Sequence, residues 1–440
     1  MNFERLRALV LERAVQGNLV SQLESEPETA QLGDAPQQFP IEIPEKWKWV
    51  KLSELATEMA DGPFGSNLKK EHYTLNREAR IIQLSNIGEH GWRNENVKYT
   101  TFEHAETISR SKVNSGDIVI AKMMPAGRAI IVPPIEKTFV LSSDAVKVVV
   151  NNKYCLTKYL NFAINSNVFK NQVYSNVQGT TRIRTSVTKL KNYYIPLPSL
   201  EEQIRIVAKL EEAFDEIDRA EKAYEELQTL AGVLRGQILQ EAIQGKLVPQ
   251  LVSDGVTKQI AEAPEEVPFD IPNTWSWIRG EELAVKRKTI DPSTLTNDEI
   301  ELWSIPAYDA GVAEKVSPGD IGSSKKVVQA GDVLLAKIVP HIERVWIVSE
   351  SANSLMKLAS TEWLVYASEL FLPEFMGLLF RSPYFRTKMM ESVSGMGSLK
   401  RANPRTLAKV WLPVPPIKEQ ERIVIKVETL LKQVNLLLTK

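Results

Sequence analysis

The amino-acid sequence predicts a mixed α/β protein: two globular α/β domains separated by long antiparallel coiled-coil helices, pseudo-twofold, with circularly arranged repeats. Three observations predict it. Residues 198–248 contain no internal proline, and apolar residues recur there at Val207, Leu210, Phe214, Ile217, Tyr224, Leu227, Ala231, Leu234 and Ile238. These steps of three and four put them on one stripe of a helix. The segments 51–194 and 279–411 share a series of landmarks. The two ends of the chain match the two halves of the long helix.

Residues 1–20 read as a helix in which Phe3, Leu6, Val10 and Ala14 share a face and Gly17 ends it. Its ending, AVQGNLV at 14–20, returns as AIQGKLV at 242–248. A polar stretch follows each copy, at 21–39 and at 249–267, and reads as a surface linker. PIEIPEKWKWV (40–50) and PFDIPNTWSWI (268–278) keep the same offset of 228 residues. Their tryptophans, Trp47, Trp49, Trp275 and Trp277, read as packing anchors where linker meets domain.

The domains follow, at 40–198 and 268–415. GDIVIAK (116–122) matches GDVLLAK (331–337), each a Gly-Asp turn feeding a short apolar strand. Ser142-Ser143-Asp144 before AVKVVV parallels Ser360-Thr361-Glu362 before WLVY. A helical patch comes next (about 157–174 and 373–392), then a polar loop, then YIPLPSLEEQIRIV or WLPVPPIKEQERIV. Repetition at this length implies duplicated domains and not a solenoid.

The central helix, 199–248, starts on a capping box, Ser199 with Glu202. Two successive steps of three around Tyr224 shift its stripe as a stammer does. Gly245 is its natural left-handed stop. Such a helix runs roughly 65 Å at about 1.5 Å per residue, too long for the core of a small domain. The C-terminal helix, 416–440, matches its first half: Val424, Val427, Leu431 and Val434 fall on Val207, Leu210, Phe214 and Ile217. The N-terminal helix matches its second half: Phe3, Leu6 and Val10 fall on Ala231, Leu234 and Ile238. The split copy is therefore expected to lie antiparallel along the intact one. Each Leu, Ile, Val or Phe so buried contributes about 1.5–3 kcal/mol. Pro416 stands where Ser199 caps, so the second helix start lacks a side-chain cap.

The chain of 440 residues is 43% hydrophobic and 25% charged, which is globular composition. Its one cysteine, Cys155, excludes an internal disulfide and a four-cysteine zinc site. The four histidines lie at no metal-ligand spacing. The first ten residues carry Glu4, Arg5 and Arg7 and do not read as a secretory signal, and no apolar run is long enough to span a bilayer. A cytoplasmic protein is expected. A net charge of −1 hides a segregation. Residues 201–226 hold ten acids against four bases, whereas 178–191 hold four bases and no acid, and 381–409 seven bases against Glu391 alone. Charge so divided can give a local electrostatic footprint for nucleic acid at near-zero total.

Two domains each closed by P-L-P or P-V-P before E-Q-x-x-I-V or E-Q-E-R-I-V, with the A-[VI]-Q-G-x-L-V helix endings, resemble the specificity subunit of type I restriction–modification enzymes. The likeness covers essentially the whole chain, and the proline-to-Glu-Gln helix start, present at Pro198/Glu202/Gln203 and Pro415/Glu419/Gln420, is its most specific part. The resemblance implies two target-recognition domains, each reading half of a bipartite site in double-stranded DNA. It implies helices that act as a ruler and dock two methyltransferase subunits, with motor-nuclease subunits joining for cleavage. S-adenosylmethionine, ATP and Mg would be bound by those partners and no cofactor by this chain.

Candidate DNA contacts are loops with glycines and donors. In 61–70, Ser66, Asn67 and Lys69 offer donors to phosphate or base edges, or form an ordinary Gly-Pro surface turn. In 179–186, Thr180, Thr181, Arg182 and Arg184 combine hydroxyls with alternating arginines suited to guanine or phosphate, or form a solvated basic loop. The counterpart at 395–401 offers Ser398, Lys400 and Arg401. Lys122 and Lys337 end matching strands, pointing either at phosphate or into water. Ser324 and Lys325, in a basic cluster like Lys286–Lys288, are DNA contacts or a solvated face. Tyr308 reaches a base edge or packs beneath its loop. Subunit docking and coiled-coil packing are assigned to the helix stripe: Gln203, Val207, Leu210, Phe214, Ile217, Leu234, Ile238, Val424, Val427 and Leu431.

No Asn/Asp-Pro-Pro-aromatic motif and no G-x-x-x-x-G-K-[ST] loop occurs. Catalysis is therefore expected in partners and not in this chain. The competing expectation is a coiled-coil scaffold whose globular ends bind proteins.

Overall fold

The two Gly-Asp turns feed strands Ile118–Ala121 and Val333–Ala336, and all four residues of each are buried. Continuous apolar runs of this kind suit strands covered on both faces. Gly116 and Gly331 make the turns at φ +91 and +87, in the left-handed region. The computed structural model describes residues 2–38, 41–175, 183–257, 264–350, 355–394 and 400–439. It divides into two units, Met1–Ala223 and Tyr224–Lys440.

In the first unit, Ile118–Ala121 lies in a four-stranded antiparallel sheet between Ala129–Ile131 and Ala145–Val150, with Ala56–Asp61 at the edge. A five-stranded sheet contains the parallel pair Ala79–Ile82 and Phe139–Leu141. Lys48–Lys51 pairs with Tyr194–Leu197, so the first and last strands close the domain. Helices Thr157–Asn165 and Asn167–Ser175 bury Tyr159, Leu160 and Phe169 in a core that also takes Trp47 and Trp49.

The second unit repeats this plan. Val333–Ala336 lies between Val345–Ile347 and Trp363–Tyr366. A five-stranded sheet contains the parallel pair Ile300–Trp303 and Lys357–Ser360. Ser276–Arg279 pairs with Trp411–Val414 to close the domain. Where the first unit has the edge strand Ala56–Asp61, the second has an isolated bridge from Ala284 to Tyr366.

The central helix spans Leu200–Ile243, shorter at its C-terminal end than the sequence predicts. Gly245 sits beyond it at φ +70, where a Cβ would meet Pro272 at 2.5 Å. Gly17 repeats this after the N-terminal helix Phe3–Val15, at φ +75 with Pro44 at 2.3 Å. Half of the expected capping box forms. The Ser199 hydroxyl accepts the Glu202 N–H at 3.3 Å, but the Glu202 carboxylate turns away to Trp47 and Gln22.

Within the first unit the N-terminal helix runs antiparallel to the central one. Arg7 bonds Asp218 and Glu221, while Gln22 beyond the helix end reaches Glu202. Within the second unit the C-terminal helix Ile417–Thr439 does the same: Arg235 bonds Asn435, and Gln250 reaches Glu419. The predicted split pairing is thus present in each unit. The buried stripe is wider than predicted. Ile206 joins Val207 and Leu210 in the first core, and Leu239, Ala242 and Ile243 join Ala231 and Ile238 in the second. Leu234 falls off it and is 41% exposed.

Described residues of both linkers are tied down by side chains. Arg205 holds Glu26 through two bonds of 2.8 and 2.7 Å. Arg422 holds Asp254 at the equivalent place. Lys46 donates to the carbonyls of Leu23, Glu24 and Glu26.

Candidate nucleic-acid interface

The strand ending at Ala121 delivers Lys122, and two backbone bonds fix what lies beside it. The Lys122 N–H donates to the Asp144 carbonyl, and the Thr185 N–H donates to the Lys122 carbonyl, both at 2.8 Å. A bridge between Met123 and Arg184 continues the register. The result is a cluster of Lys122, Asp144 and Arg184, with Arg184 3.9 Å from the Asp144 carboxylate.

The second unit builds the same cluster from its own repeat. The Lys337 N–H donates to Glu362 O at 3.0 Å, the Ala402 N–H donates to Lys337 O at 2.8 Å, and Ile338 bridges Arg401. Lys337, Glu362 and Arg401 therefore occupy the places of Lys122, Asp144 and Arg184. Arg401 approaches both Glu362 oxygens through Nε and one terminal nitrogen, at 3.2 and 3.3 Å. Lys337 lies 3.9 Å from the same carboxylate.

In the first unit Lys122 and Arg184 of the cluster line a cleft of about 500 Å³ on the protein surface, bounded also by Asp61, Phe64, Asn67, Arg110 and Ser143. Gly62 is obligatory at its edge, because a Cβ there would meet the Ser142 carbonyl at 1.8 Å. The following turn, closed by the Asn67 N–H donating to Phe64 O at 2.7 Å, holds Phe64 83% exposed. His104 bonds the Asn67 carbonyl at 2.9 Å and stacks on His72, so the loop is tied to the helix Phe102–Thr107.

The cleft unites Asn67, Lys122 and Arg184 among the predicted contacts. Ser66 is exposed and bonds Asn67, whereas Lys69 pairs loosely with Glu71 at 3.6 Å. Lys122 fits neither expectation for it: the side chain is 10% exposed and its ammonium sits 2.7 Å from Asp61. Lys337, also expected at phosphate or in water, is instead held near Glu362. Thr180, Thr181, Arg182 and Ser398 lie outside the described residues.

In the second unit Lys400 is exposed, and its carbonyl accepts the Val339 N–H at 3.0 Å. Ser324 is exposed, just before the strand Lys325–Val328. Lys325 is buried with its ammonium on Ser323, and burial pulls its pKa down, so the solvated basic face expected there is corrected. Arg287 of the neighbouring basic run forks onto the buried Asp332. Tyr308 packs: it lies edge-on to Trp346 and Trp363 at 5.6 and 5.9 Å, and its hydroxyl donates to Glu343 O.

Most of the docking and coiled-coil set turns inward. Gln203 is fully buried, its carbonyl oxygen accepting the Leu156 N–H at 2.8 Å and its amide donating to Tyr154 and Pro198 carbonyls. Gln420 repeats this with Leu372, Leu370 and Pro415. Val207, Leu210, Ile238 and Val427 are buried inside their own units, and Phe214, Ile217, Val424 and Leu431 are half-buried. These residues hold the chain together. Leu234 of the predicted set faces solvent, as do Ile204, Leu230, Val233 and Ile425 on the same helices, the last four 57–65% exposed.

Sequence reasoning missed the acidic partners Asp61, Asp144 and Glu362 and the exposed Phe64. The matched Ser-Ser-Asp and Ser-Thr-Glu triplets carried a signal for two of those acids. Among the described residues no group of three or more His, Cys, Asp or Glu is arranged to hold a metal. Among them no helix is long and apolar enough to cross a membrane.

Residues 44–229 match the family model for the type I restriction modification DNA specificity domain. The chain is 26% identical over 279 residues to the specificity subunit of the type I restriction enzyme EcoBI of Escherichia coli, covering 59% of this chain and 58% of that one. It is 23% identical over 427 residues to the EcoKI specificity subunit of Escherichia coli (strain K12), covering 89% and 85%. The alignment thus spans less than two thirds of the EcoBI relative and most of the EcoKI one. Among solved structures, a chain from a type I R-M system superposes with a TM-score of 0.66 at 20% identity, covering 91% of this chain and 94% of that one. The HsdS subunit from Thermoanaerobacter tengcongensis superposes with a TM-score of 0.54 at 20% identity, covering 90% and 92%. The fold is shared with both.

Proposed function

We propose, on the premise that this chain belongs to the specificity subunits of type I restriction–modification systems, that it is the non-catalytic DNA-recognition component of such a complex. Residues 40–198 read one half of a bipartite duplex site and residues 268–415 read the other. One observation supports this most: the Lys–acid–Arg cluster occurs twice, once in each unit, in the same backbone register. Two copies of one polar site suit two separated parts of one duplex.

The helices at 2–20, 199–248 and 416–440 set the spacer between half-sites and dock two methyltransferase subunits. Their solvent-facing Ile204, Leu230, Val233 and Ile425 are the candidate contacts. Motor-nuclease subunits join for cleavage, and S-adenosylmethionine, ATP and Mg belong to those partners. The work is done in the cytoplasm, on DNA.

Selection of bound duplexes from a random library by the purified chain tests the reading. The expected result is enrichment of two short motifs at a fixed spacing, with affinity falling steeply as salt rises. Retention without any shared motif would overturn it.

A further inference from the structure

A carboxylate beside a nucleic-acid surface has a cost, because it repels phosphate. Asp144 and Glu362 nevertheless occupy equivalent places in the two units, 33% and 27% exposed, each next to an arginine. We propose that Arg184 with Asp144, and Arg401 with Glu362, are equivalent base-reading pairs, each set on one G·C base pair of its own half-site. The inference rests on the DNA reading above and adds which residues read and what they read.

The chemistry of the pair favours base edges over phosphate. An arginine donates two parallel N–H groups to O6 and N7 of guanine, and a carboxylate accepts from the N4 amino group of the paired cytosine. A surface built only to grip phosphates gains nothing from an acid at its centre. The acid also orients its arginine. In the second unit both Glu362 oxygens meet the Arg401 guanidinium, which fixes the plane of the fork. In the first unit the contact is a single ion pair at 3.9 Å, and Arg184 is the more exposed of the two, at 61% against 41%. The neighbouring lysines do not compete for the role. Lys122 is taken up by Asp61, and Lys337 shares Glu362. Asp144 and Glu362 are thus positioning residues for the arginines as well as acceptors for cytosine.

The test is the random-duplex selection, run with the full chain and with Asp144→Asn, Glu362→Gln, Glu362→Asp and Arg401→Lys. In the wild type, each motif is expected to contain a G·C pair whose replacement costs about 5- to 150-fold in binding. Glu362→Gln is expected to erase preference at that one base pair of one motif, and Glu362→Asp to restore it. Asp144→Asn is expected to erase preference at one base pair of the other motif. Arg401→Lys keeps the charge and loses the fork, and is expected to match Glu362→Gln. Unchanged base preferences in these variants, or a uniform loss across all positions, would overturn the inference while the wild-type motifs leave the DNA reading standing. A wild type that enriches no motif overturns both.

Discussion

Trp47 donates its indole N–H to the Glu202 carboxylate at 2.8 Å, across 155 residues of chain. Trp275 does the same for Glu419 at 2.9 Å, and in each case a glutamine, Gln22 or Gln250, donates to the other carboxylate oxygen. This node ties three things together: the end of a terminal or central helix, the tryptophan that opens a domain, and the helix that leaves it. It explains why a glutamate follows the proline at both helix starts, where capping alone would not require it at the start that lacks Ser199.

Removing the donor leaves a buried carboxylate one bond short, at a cost of about 1–3 kcal/mol. Trp47→Phe should therefore destabilise the first unit by about that amount, and Trp275→Phe the second, as read by urea or thermal unfolding. An unchanged midpoint in either would remove the node from the account of stability.

Burial holds the Glu202 pKa above the ordinary carboxylate range, with the bonds from Trp47 and Gln22 opposing the shift. The folded state then binds more protons than the unfolded one between the ordinary carboxylate value and the raised one, and stability falls as pH rises through that window. Glu202→Gln should flatten this part of the stability–pH profile. A profile that keeps the wild-type slope would assign the effect to other groups.

Gly17 and Gly245 combine a left-handed backbone with proline rings where a side chain would begin. Gly17→Ala and Gly245→Ala should each destabilise by more than about 1 kcal/mol, since strain at φ above zero adds to the clash. Differential scanning calorimetry reads this directly.

The helix stripe separates two kinds of apolar residue that sequence periodicity merges. Leu210 is fully buried, and Leu210→Ala should cost about 2–5 kcal/mol. Val233 and Ile425 are about two-thirds exposed, and their alanine variants should change stability by less than about 0.5 kcal/mol. Those same variants should weaken co-purification with the methyltransferase subunit, and undiminished recovery would place docking elsewhere.

What could be read from the sequence follows from the range over which each signal acts. The offset of 228 residues, the Gly-Asp strands and the split helix are local patterns written twice, and they led to the repeated fold and the antiparallel pairing in each unit. The two polar clusters are built by long-range pairing, such as Lys122 with Asp61 and Arg401 with Glu362, and no local pattern announces which acid neutralises which cation. Periodicity located the helix face but not its width. Near its ends the helix packs against both a domain and a terminal helix, so Ile206, Leu239 and Ile243 are buried too. The stripe residues turn inward for the same reason: the most regular stripe is the one the chain uses on itself.

The last prediction concerns the ruler. The division between units falls at Ala223 and Tyr224, inside the central helix. Arg7 takes its partners, Asp218 and Glu221, before that point, and the next buried residue, Ala231, comes after it. Seven residues inserted between Ala223 and Tyr224 should therefore leave both sets of contacts intact. Such an insertion adds roughly 10 Å of helix and turns the following residues by only about 20°. At roughly 3.4 Å per base pair, the spacer between the two enriched motifs should lengthen by about three base pairs while the motifs themselves stay the same. A spacer that does not change would show that helix length does not set it, and altered motifs would show that the domains had been disturbed.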